Sequence, residues 1–464
     1  MADEWSRSAL ELLLPIDRSD GVRAGLERAL REAVRDGRLP PGTRLPSSRA
    51  LATDFGLARG TVTQAYEQLV AEGFLTARPR SGVEVAARPV PARTAGPRLS
   101  REWPEPIRGA DLRPGLPDLS LFPRREWLQA TKHVLQTVPN STFGYGDWSG
   151  HTTLRETLAE YLGRSRGVVA TADQIIVCAG YTHAIRMVCQ AFARFGATTV
   201  GFEDPSLLDY PELARQCGLT VTAIPVDRDG LVIERLTGER GVFVTPAHQY
   251  PLGVTLSPVR RTELLAWAGR QGAFVVEDDY DGEFRYDRQP VGALQGLAPE
   301  RVVYAGTASK SIGPGLRLGW LVVPPELVPV FKAAAYCDDS YVSVVDQLAL
   351  ARLIATGELD RHLRRCRVRY RRRRDMLGAA VAERAPNAHL SGIAAGLHAV
   401  LQVPGVEETE LVRRLAARQV AVDGLAGFYT DPDGSPPGIV IGYATPPEHA
   451  YAGALDALVG GLRG

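Results

Sequence analysis

Apolar positions recur at helical spacing early in the chain. Val22, Leu26, Ala29, Leu30, Ala33 and Val34 share one side of a helical repeat, which predicts an amphipathic helix over residues 20–36. A short apolar run, Leu10 to Ile16, leads into it, and Gly37 ends it. Leu39-Pro40-Pro41-Gly42 marks a turn. Ser47 and Ser48 are N-cap candidates for a second helix, Arg49 to Phe55, which Gly56 closes. Leu57-Ala58-Arg59-Gly60 connects to a third helix, Thr61 to Ala71, with Val62, Ala65, Tyr66 and Leu69 facing inward and Gly73 as its stop. Two short strands follow, Phe74–Arg78 and Val83–Val85, on either side of a turn at Pro79–Gly82. Three helices and a hairpin predict a winged helix-turn-helix over residues 1–86, with the second and third helices as the pair that reads DNA.

Beyond residue 86 the apolar period is lost. Residues 87–108 are rich in Pro, Ala and Arg, as in a semi-rigid, extended connector. From 109 to 464 apolar runs of strand length alternate with helical stretches. Ile175–Val177, Thr199–Phe202, Val221–Ile224, Gly241–Val244, Phe274–Val276, Val302–Tyr304 and Trp320–Val323 read as buried strands. The alternation predicts an α/β domain with a mostly parallel sheet, followed after about residue 332 by two long helices and a small α+β layer.

Composition narrows the classes only a little. A length of 464 residues leaves room for two or three domains, and an apolar fraction of 45% supports a large core. The net charge of +1 implies no partner by itself, so any nucleic-acid surface must be local. Residues 1–86 carry twelve arginines against twelve acids, but Arg38 to Arg80 holds six arginines against Asp54, Glu67 and Glu72. Five cysteines with no CxxC spacing argue against zinc and a disulfide framework and fit a reducing cytoplasm. The acidic N-terminus, with its short apolar run, does not read as a signal peptide, and no apolar stretch is long enough to span a bilayer.

The stretch LPSSRALATDFGLARGTVTQAYEQLVAEGFLTARPRSGVEV resembles the GntR-type winged-helix family. The resemblance implies that Arg49, Arg59, Thr61 and Thr63 face double-stranded DNA, with Arg80, Ser81 and Gly82 at the tip of the wing. The physics of the segment agrees: a helix start presents N–H groups and short polar side chains to phosphates and base edges. Ala58 and Gly60 depart from the small polar residues usual in that family, which weakens assignment of individual base contacts.

The chemistry centres on one lysine. Only Lys132, Lys310 and Lys332 occur in the chain, and Lys310 lies in Gly306-Thr307-Ala308-Ser309-Lys310-Ser311, seven residues before Arg317. A lysine amine condenses with an aldehyde. Hydroxyls, backbone N–H groups and an arginine hold a phosphate. Pyridoxal 5'-phosphate (PLP) requires both. Gly180-Tyr181-Thr182 follows one strand and opens a helix, which is a phosphate-binding position. Glu277-Asp278-Asp279-Tyr280 ends another; a carboxylate there can pair with a protonated pyridine nitrogen, and a tyrosine two residues on points to the same side.

With FGYGDWSGHTTLRE (143–156), EDP (203–205), TPAHQYPLG (245–253), EDDYDGEFRY (277–286) and GTASKSIGPGLRLGW (306–320) in order, this domain resembles a fold-type I aminotransferase. The whole chain resembles the MocR subfamily of GntR-type regulators. The resemblance implies Lys310 as the Schiff-base lysine, Asp278 as partner of the pyridine nitrogen and Tyr280 as partner of the phenolic oxygen. It assigns the phosphate to Gly180, Tyr181, Thr182, Thr307, Ser309 and Arg317. It implies a homodimer in which Tyr145 reaches the phosphate of the partner subunit. Members of the PdxR type further imply control of PLP supply.

Three residues depart from catalytic aminotransferases. Tyr250 stands where an asparagine is usual, Leu207 where an aromatic ring stacks on the pyridine, and Val440 where an arginine clamps the substrate carboxylate. Without that clamp amino-acid binding weakens, which favours a PLP sensor over an enzyme. A regulator reading an amino compound through an external aldimine, and a working aminotransferase, are the alternatives. One feature stays open: Arg361 to Arg374 holds nine arginines and no acid, and reads as a helix with either a salt-bridged face or a second DNA-contacting surface.

Overall fold

The computed structural model describes residues 14–17, 21–78, 82–86, 109–286, 291–337 and 341–463. The chain divides into two compact units, Met1–Pro104 and Glu105–Gly464. The connector at 87–108 lies outside the described residues.

In the first unit, helices α1 (Val22–Arg35), α2 (Ser48–Phe55) and α3 (Arg59–Ala71) precede strands β1 (Leu75–Arg78) and β2 (Gly82–Val85). The strands pair antiparallel, with Leu75 opposite Val85 and Arg78 opposite Gly82. Leu26, Leu30, Leu51, Val62, Leu69 and Leu75 form the core, so the apolar period of each helix is the face it buries. The Ser47 hydroxyl accepts from the Ala50 N–H at 3.2 Å, capping α2, and Gly56 closes that helix in the left-handed region (φ 64°). Helix α3 begins two residues ahead of the expected Thr61. Gly60 falls in its first turn, where N–H groups lack intrahelical partners and a glycine is tolerated, instead of acting as a breaker.

In the second unit, an eight-stranded sheet is built from β3 (Ile175–Cys178), β4 (Thr199–Asp204), β5 (Thr220–Asp227), β6 (Gly230–Leu231), β7 (Gly241–Val244), β8 (Phe274–Asp279), β9 (Val302–Thr307) and β10 (Gly319–Val322). Its order is β3-β10-β9-β8-β7-β4-β5-β6. The pairs β9–β8, β8–β7, β7–β4 and β4–β5 are parallel, whereas β10 runs antiparallel to both neighbours. Both faces are covered. Ile176, Val276, Val303 and Leu321 enter one apolar cluster, and the alternate residues enter others on the opposite face.

A four-stranded antiparallel sheet follows: β11 (His389–Ser391), β12 (His398–Gln402), β13 (Asp423–Gly424) and β14 (Ile439–Gly442), in the order β11-β12-β14-β13. The arginine run lies within the helix Glu358–Arg384. Arg373 is fully buried and pairs with Asp118 at 2.8 Å and Glu448 at 3.1 Å. Arg361, Arg365, Arg369 and Arg372 pair with Glu358, Glu126, Asp118 and Glu448. Arg367 and Arg374 donate to backbone carbonyls. Most of the run therefore ties the helix to its own domain. Arg364 and Arg371 are exposed.

Candidate functional site

The site gathers at adjoining strand ends, the usual location for ligands in such sheets. Register brings its parts together. Cys178 on β3 lies opposite Gly319 on β10, Gly319 opposite Thr307 on β9, and Ala305 on β9 beside Asp278 on β8. Gly180, Thr307, Lys310, Arg317 and Asp278, separated by up to 137 positions in sequence numbering, thus meet at one end of the sheet.

Gly180 caps the helix Tyr181–Arg194 with φ 84°. A Cβ there would stand 3.1 Å from the Arg317 guanidinium, and one on Gly319 would stand 3.1 Å from the Gly180 Cα. Glycine at both positions lets the guanidinium lie directly against the helix start. Arg317 itself adopts the left-handed conformation (φ 51°), which turns its side chain back toward that helix. The Thr307 hydroxyl lies 2.9 Å from the Ser309 hydroxyl and accepts from the Ser309 N–H at 3.1 Å. Helix N–H groups, two hydroxyls and a guanidinium form an anion cradle. Thr182 is exposed on the first helical turn. Tyr181 divides its roles: its N–H belongs to the helix start, while its hydroxyl is bonded to the carboxyl of Asp278.

The acidic run on β8 alternates as a strand requires. Glu277 accepts from the Leu294 and Gln295 N–H groups at 2.7 and 2.9 Å. Asp279 pairs with the buried Arg166 at 2.6 Å and accepts from the Tyr304 hydroxyl at 2.7 Å. Asp278 lies near Tyr181 and Lys310, and its Oδ1 is buried without a hydrogen-bond partner. Burial raises its carboxyl well above the ordinary range, with Asp279 and Asp281 adding to the shift and Tyr181 and Lys310 opposing it. Leaving such an atom unpaired costs about 1–3 kcal/mol; a pyridinium N–H would satisfy it.

Lys310 donates to the Gly115 carbonyl. Burial pushes its amine below the usual lysine range, against the opposing charges of Asp278 and Asp281. A neutral amine is the form that attacks an aldehyde. The Tyr280 hydroxyl lies 3.0 Å from the His248 carbonyl and 3.1 Å from His248 Nδ1. Tyr145 is 96% exposed. The residues present therefore fit a pyridine aldehyde phosphate: an anion cradle, an amine whose burial favours its neutral form, and an unpaired carboxyl oxygen.

Leu207, Tyr250 and Val440 come together in one apolar cluster with Val400, Leu425 and Phe428. The Tyr250 ring stands 5.5 Å from Phe428 and 6.1 Å from Tyr280. Val440 lies opposite Val400 on β12 and Asp423 on β13. Sequence reasoning missed a polar group beside this cluster. His248 Nδ1 is 2.8 Å from Asp281 Oδ2, and the His248 and His398 rings are 4.8 Å apart. His398 Nε2 meets the Pro251 carbonyl at 3.1 Å. His248 and Asp281 lay within the motifs already singled out; only their distance in three dimensions reveals the pairing.

Residues 23–85 match the model for bacterial regulatory proteins of the gntR family, and residues 116–458 match aminotransferase class I and II. The chain is 34% identical over 388 residues to a Rhizobium meliloti protein bearing the name of rhizopine catabolism regulatory protein MocR, spanning 79% of this chain and 78% of that one. It is also 34% identical over 429 residues to the pyridoxine biosynthesis transcriptional regulator PdxR of Corynebacterium glutamicum, spanning 90% and 91%. The chain belongs to the MocR subfamily of GntR-type regulators. Its aminotransferase-like unit is similar in structure to an archaeal alanine:glyoxylate aminotransferase, with a TM-score of 0.70, 25% identity and coverage of 77% and 91%.

The residues expected to face DNA lie in the first unit, within the stretch that matches the gntR family. Arg49 and Arg59 are exposed, while Thr61 and Thr63 are half-buried. The Thr63 hydroxyl donates to the Arg59 carbonyl at 3.0 Å. Gly82 is exposed at the hairpin with φ 87°. Arg80 and Ser81 lie outside the described residues. Among the described residues no helix is long and apolar enough to cross a membrane.

Proposed function

We propose that this chain is a homodimeric, PLP-binding repressor or activator that couples PLP level to operator affinity and controls PLP supply. The observation that carries this reading is the pairing of an intact cofactor cradle with an altered substrate side. Lys310, Asp278, Arg317 and Gly180 meet in geometry suited to PLP. Val440, where the resemblance would put a carboxylate clamp, packs with Leu207 and Tyr250 in one apolar cluster. When bound, PLP would supply an aldehyde, for which the Lys310 amine is the partner group. The chain's own groups do the rest: Arg317, Thr307, Ser309 and the N–H groups at Gly180–Thr182 hold the phosphate, Asp278 the ring nitrogen and Tyr280 the phenolic oxygen. The exposed Tyr145 is assigned to the partner subunit's phosphate. Residues 1–86 bind DNA and residues 109–464 bind the effector.

The 34% identity to PdxR supports PLP supply as the regulated process. PLP can shift operator affinity only as far as it binds one arrangement of the dimer better than another, typically about 5–150-fold. The test uses the full-length protein and the DNA upstream of its own gene. Wild type is expected to gain a visible PLP band and to change operator affinity at least fivefold with PLP, and Lys310→Ala to lose both effects while still binding DNA. Equal operator affinity with and without PLP would sink the sensor reading. Sustained turnover of an amino donor with an oxo acid would replace it with an enzyme.

A further inference from the structure

Tyr280 has one hydroxyl hydrogen and several acceptors within reach. Its oxygen lies 3.0 Å from the His248 carbonyl and 3.1 Å from His248 Nδ1. The carbonyl accepts in either tautomer and Asp281 is also a partner of the hydroxyl, so the place of the imidazole hydrogen decides only whether Nδ1 competes as well. Asp281 Oδ2 lies 2.8 Å from the same Nδ1, and both side chains are almost wholly buried, at 3% and 1% exposure. A carboxylate accepts only, so it selects the tautomer with hydrogen on Nδ1. That nitrogen then cannot accept from Tyr280. The surroundings hold the ring in place. A Cβ on Gly396 would fall 2.2 Å from His248 Cε1, and the His398 ring centroid lies 4.8 Å from that of His248.

We propose that Asp281 and His248 form a positioning pair that removes Nδ1 as a competitor for the Tyr280 hydrogen, leaving the phenolic oxygen of the ligand to compete with the carbonyl alone at that histidine, so that the protein selects 3-hydroxypyridine aldehydes over analogues lacking that oxygen. This rests on the PLP reading above. In Asp281→Asn the amide can donate to Nδ1, which turns that nitrogen into a competing acceptor for the tyrosine hydrogen. In His248→Gln the fixed donor geometry is lost.

The test compares equilibrium binding of PLP and of 3-deoxypyridoxal 5'-phosphate to the full-length protein. Wild type should prefer PLP. Asp281→Asn and His248→Gln should each weaken PLP about tenfold, the loss of one charge-assisted or well-placed hydrogen bond. The deoxy analogue should stay within about twofold, because it makes no bond to Tyr280. Tyr280→Phe should abolish the preference, and adding His248→Gln to it should cost PLP nothing further. Equal weakening of both ligands would assign the pair a merely structural role and overturn the proposal, as would unchanged PLP binding in both variants. A wild type that binds neither compound overturns the PLP reading itself, and this proposal with it.

Discussion

At the scale of single residues, the site depends on atoms whose needs its own chain leaves unmet. Asp278 Oδ1 has no partner, whereas its neighbours Glu277 and Asp279 are fully engaged elsewhere. Asp278→Asn should therefore weaken PLP binding about 10–100-fold while leaving the unfolding midpoint of the ligand-free protein unchanged or higher, because a charge-assisted bond disappears and a buried carboxyl is relieved; parallel binding and thermal-melt measurements check it. Lys310 has the opposite electrostatic problem. Its folded pKa is lowered, so the unfolded chain binds more protons between that lowered value and 10.5. Its contribution to stability is present above the ordinary lysine range and is lost as pH falls through the lowered one. Lys310→Met should flatten this slope in denaturant titrations of the ligand-free protein.

At the scale of elements, two buried charges show how loops and helices are tied down. Glu203, at the end of β4, accepts from the Thr245 N–H at 3.0 Å and from the Thr245 hydroxyl, joining two loops of the site. Burial nevertheless raises its carboxyl to about 7. A raised acid contributes stability that is fully present below the unfolded value of 4.5 and is lost as pH rises through about 7. Glu203→Gln should thus gain about 3 kcal/mol relative to wild type between pH ~4.5 and ~8, at ~1.4 kcal/mol per pKa unit, read from urea unfolding at the two pH values. In the arginine-rich helix, Arg373→Met should cost about 3–5 kcal/mol, since it removes the buried partner of Asp118 and leaves that carboxylate the half-buried Arg369 at 3.4 Å as its remaining cation. Arg364→Ala, on the exposed face, should stay within about 0.5 kcal/mol of wild type.

At the scale of the whole molecule, the chain divides into two units, and on the proposed function substitutions in one can be read against the other. Arg49→Ala and Arg59→Ala should lower operator affinity, each reducing the salt slope by about 1 where the arginine meets a phosphate, while leaving the visible PLP band intact. Asp278→Asn should do the reverse: operator binding without PLP survives and the response to PLP is lost at concentrations that saturate wild type. A variant of Arg49 or Arg59 that bound operator normally would remove that residue from the DNA-reading set.

Much of the architecture was legible along the chain. The helices of the first unit, the seven apolar runs of the sheet, the lysine loop and the acidic strand end were all readable, because each is encoded by local periodicity, glycine positions and short motifs. Even the departures at Leu207, Tyr250 and Val440 could be seen singly. Their convergence into one apolar cluster could not, since they lie on three segments far apart in sequence. Nor could the arginine run be resolved, because its partners Asp118, Glu126 and Glu448 are remote in sequence. The same holds for Asp281 behind His248, thirty-three residues apart. Sequence determined which groups were present and which strand end each would occupy. Tertiary structure decided which charges are spent on holding the fold and which atom, Asp278 Oδ1, is left over for a ligand, because hydrogen-bond satisfaction in a buried site is a property of all the neighbours at once.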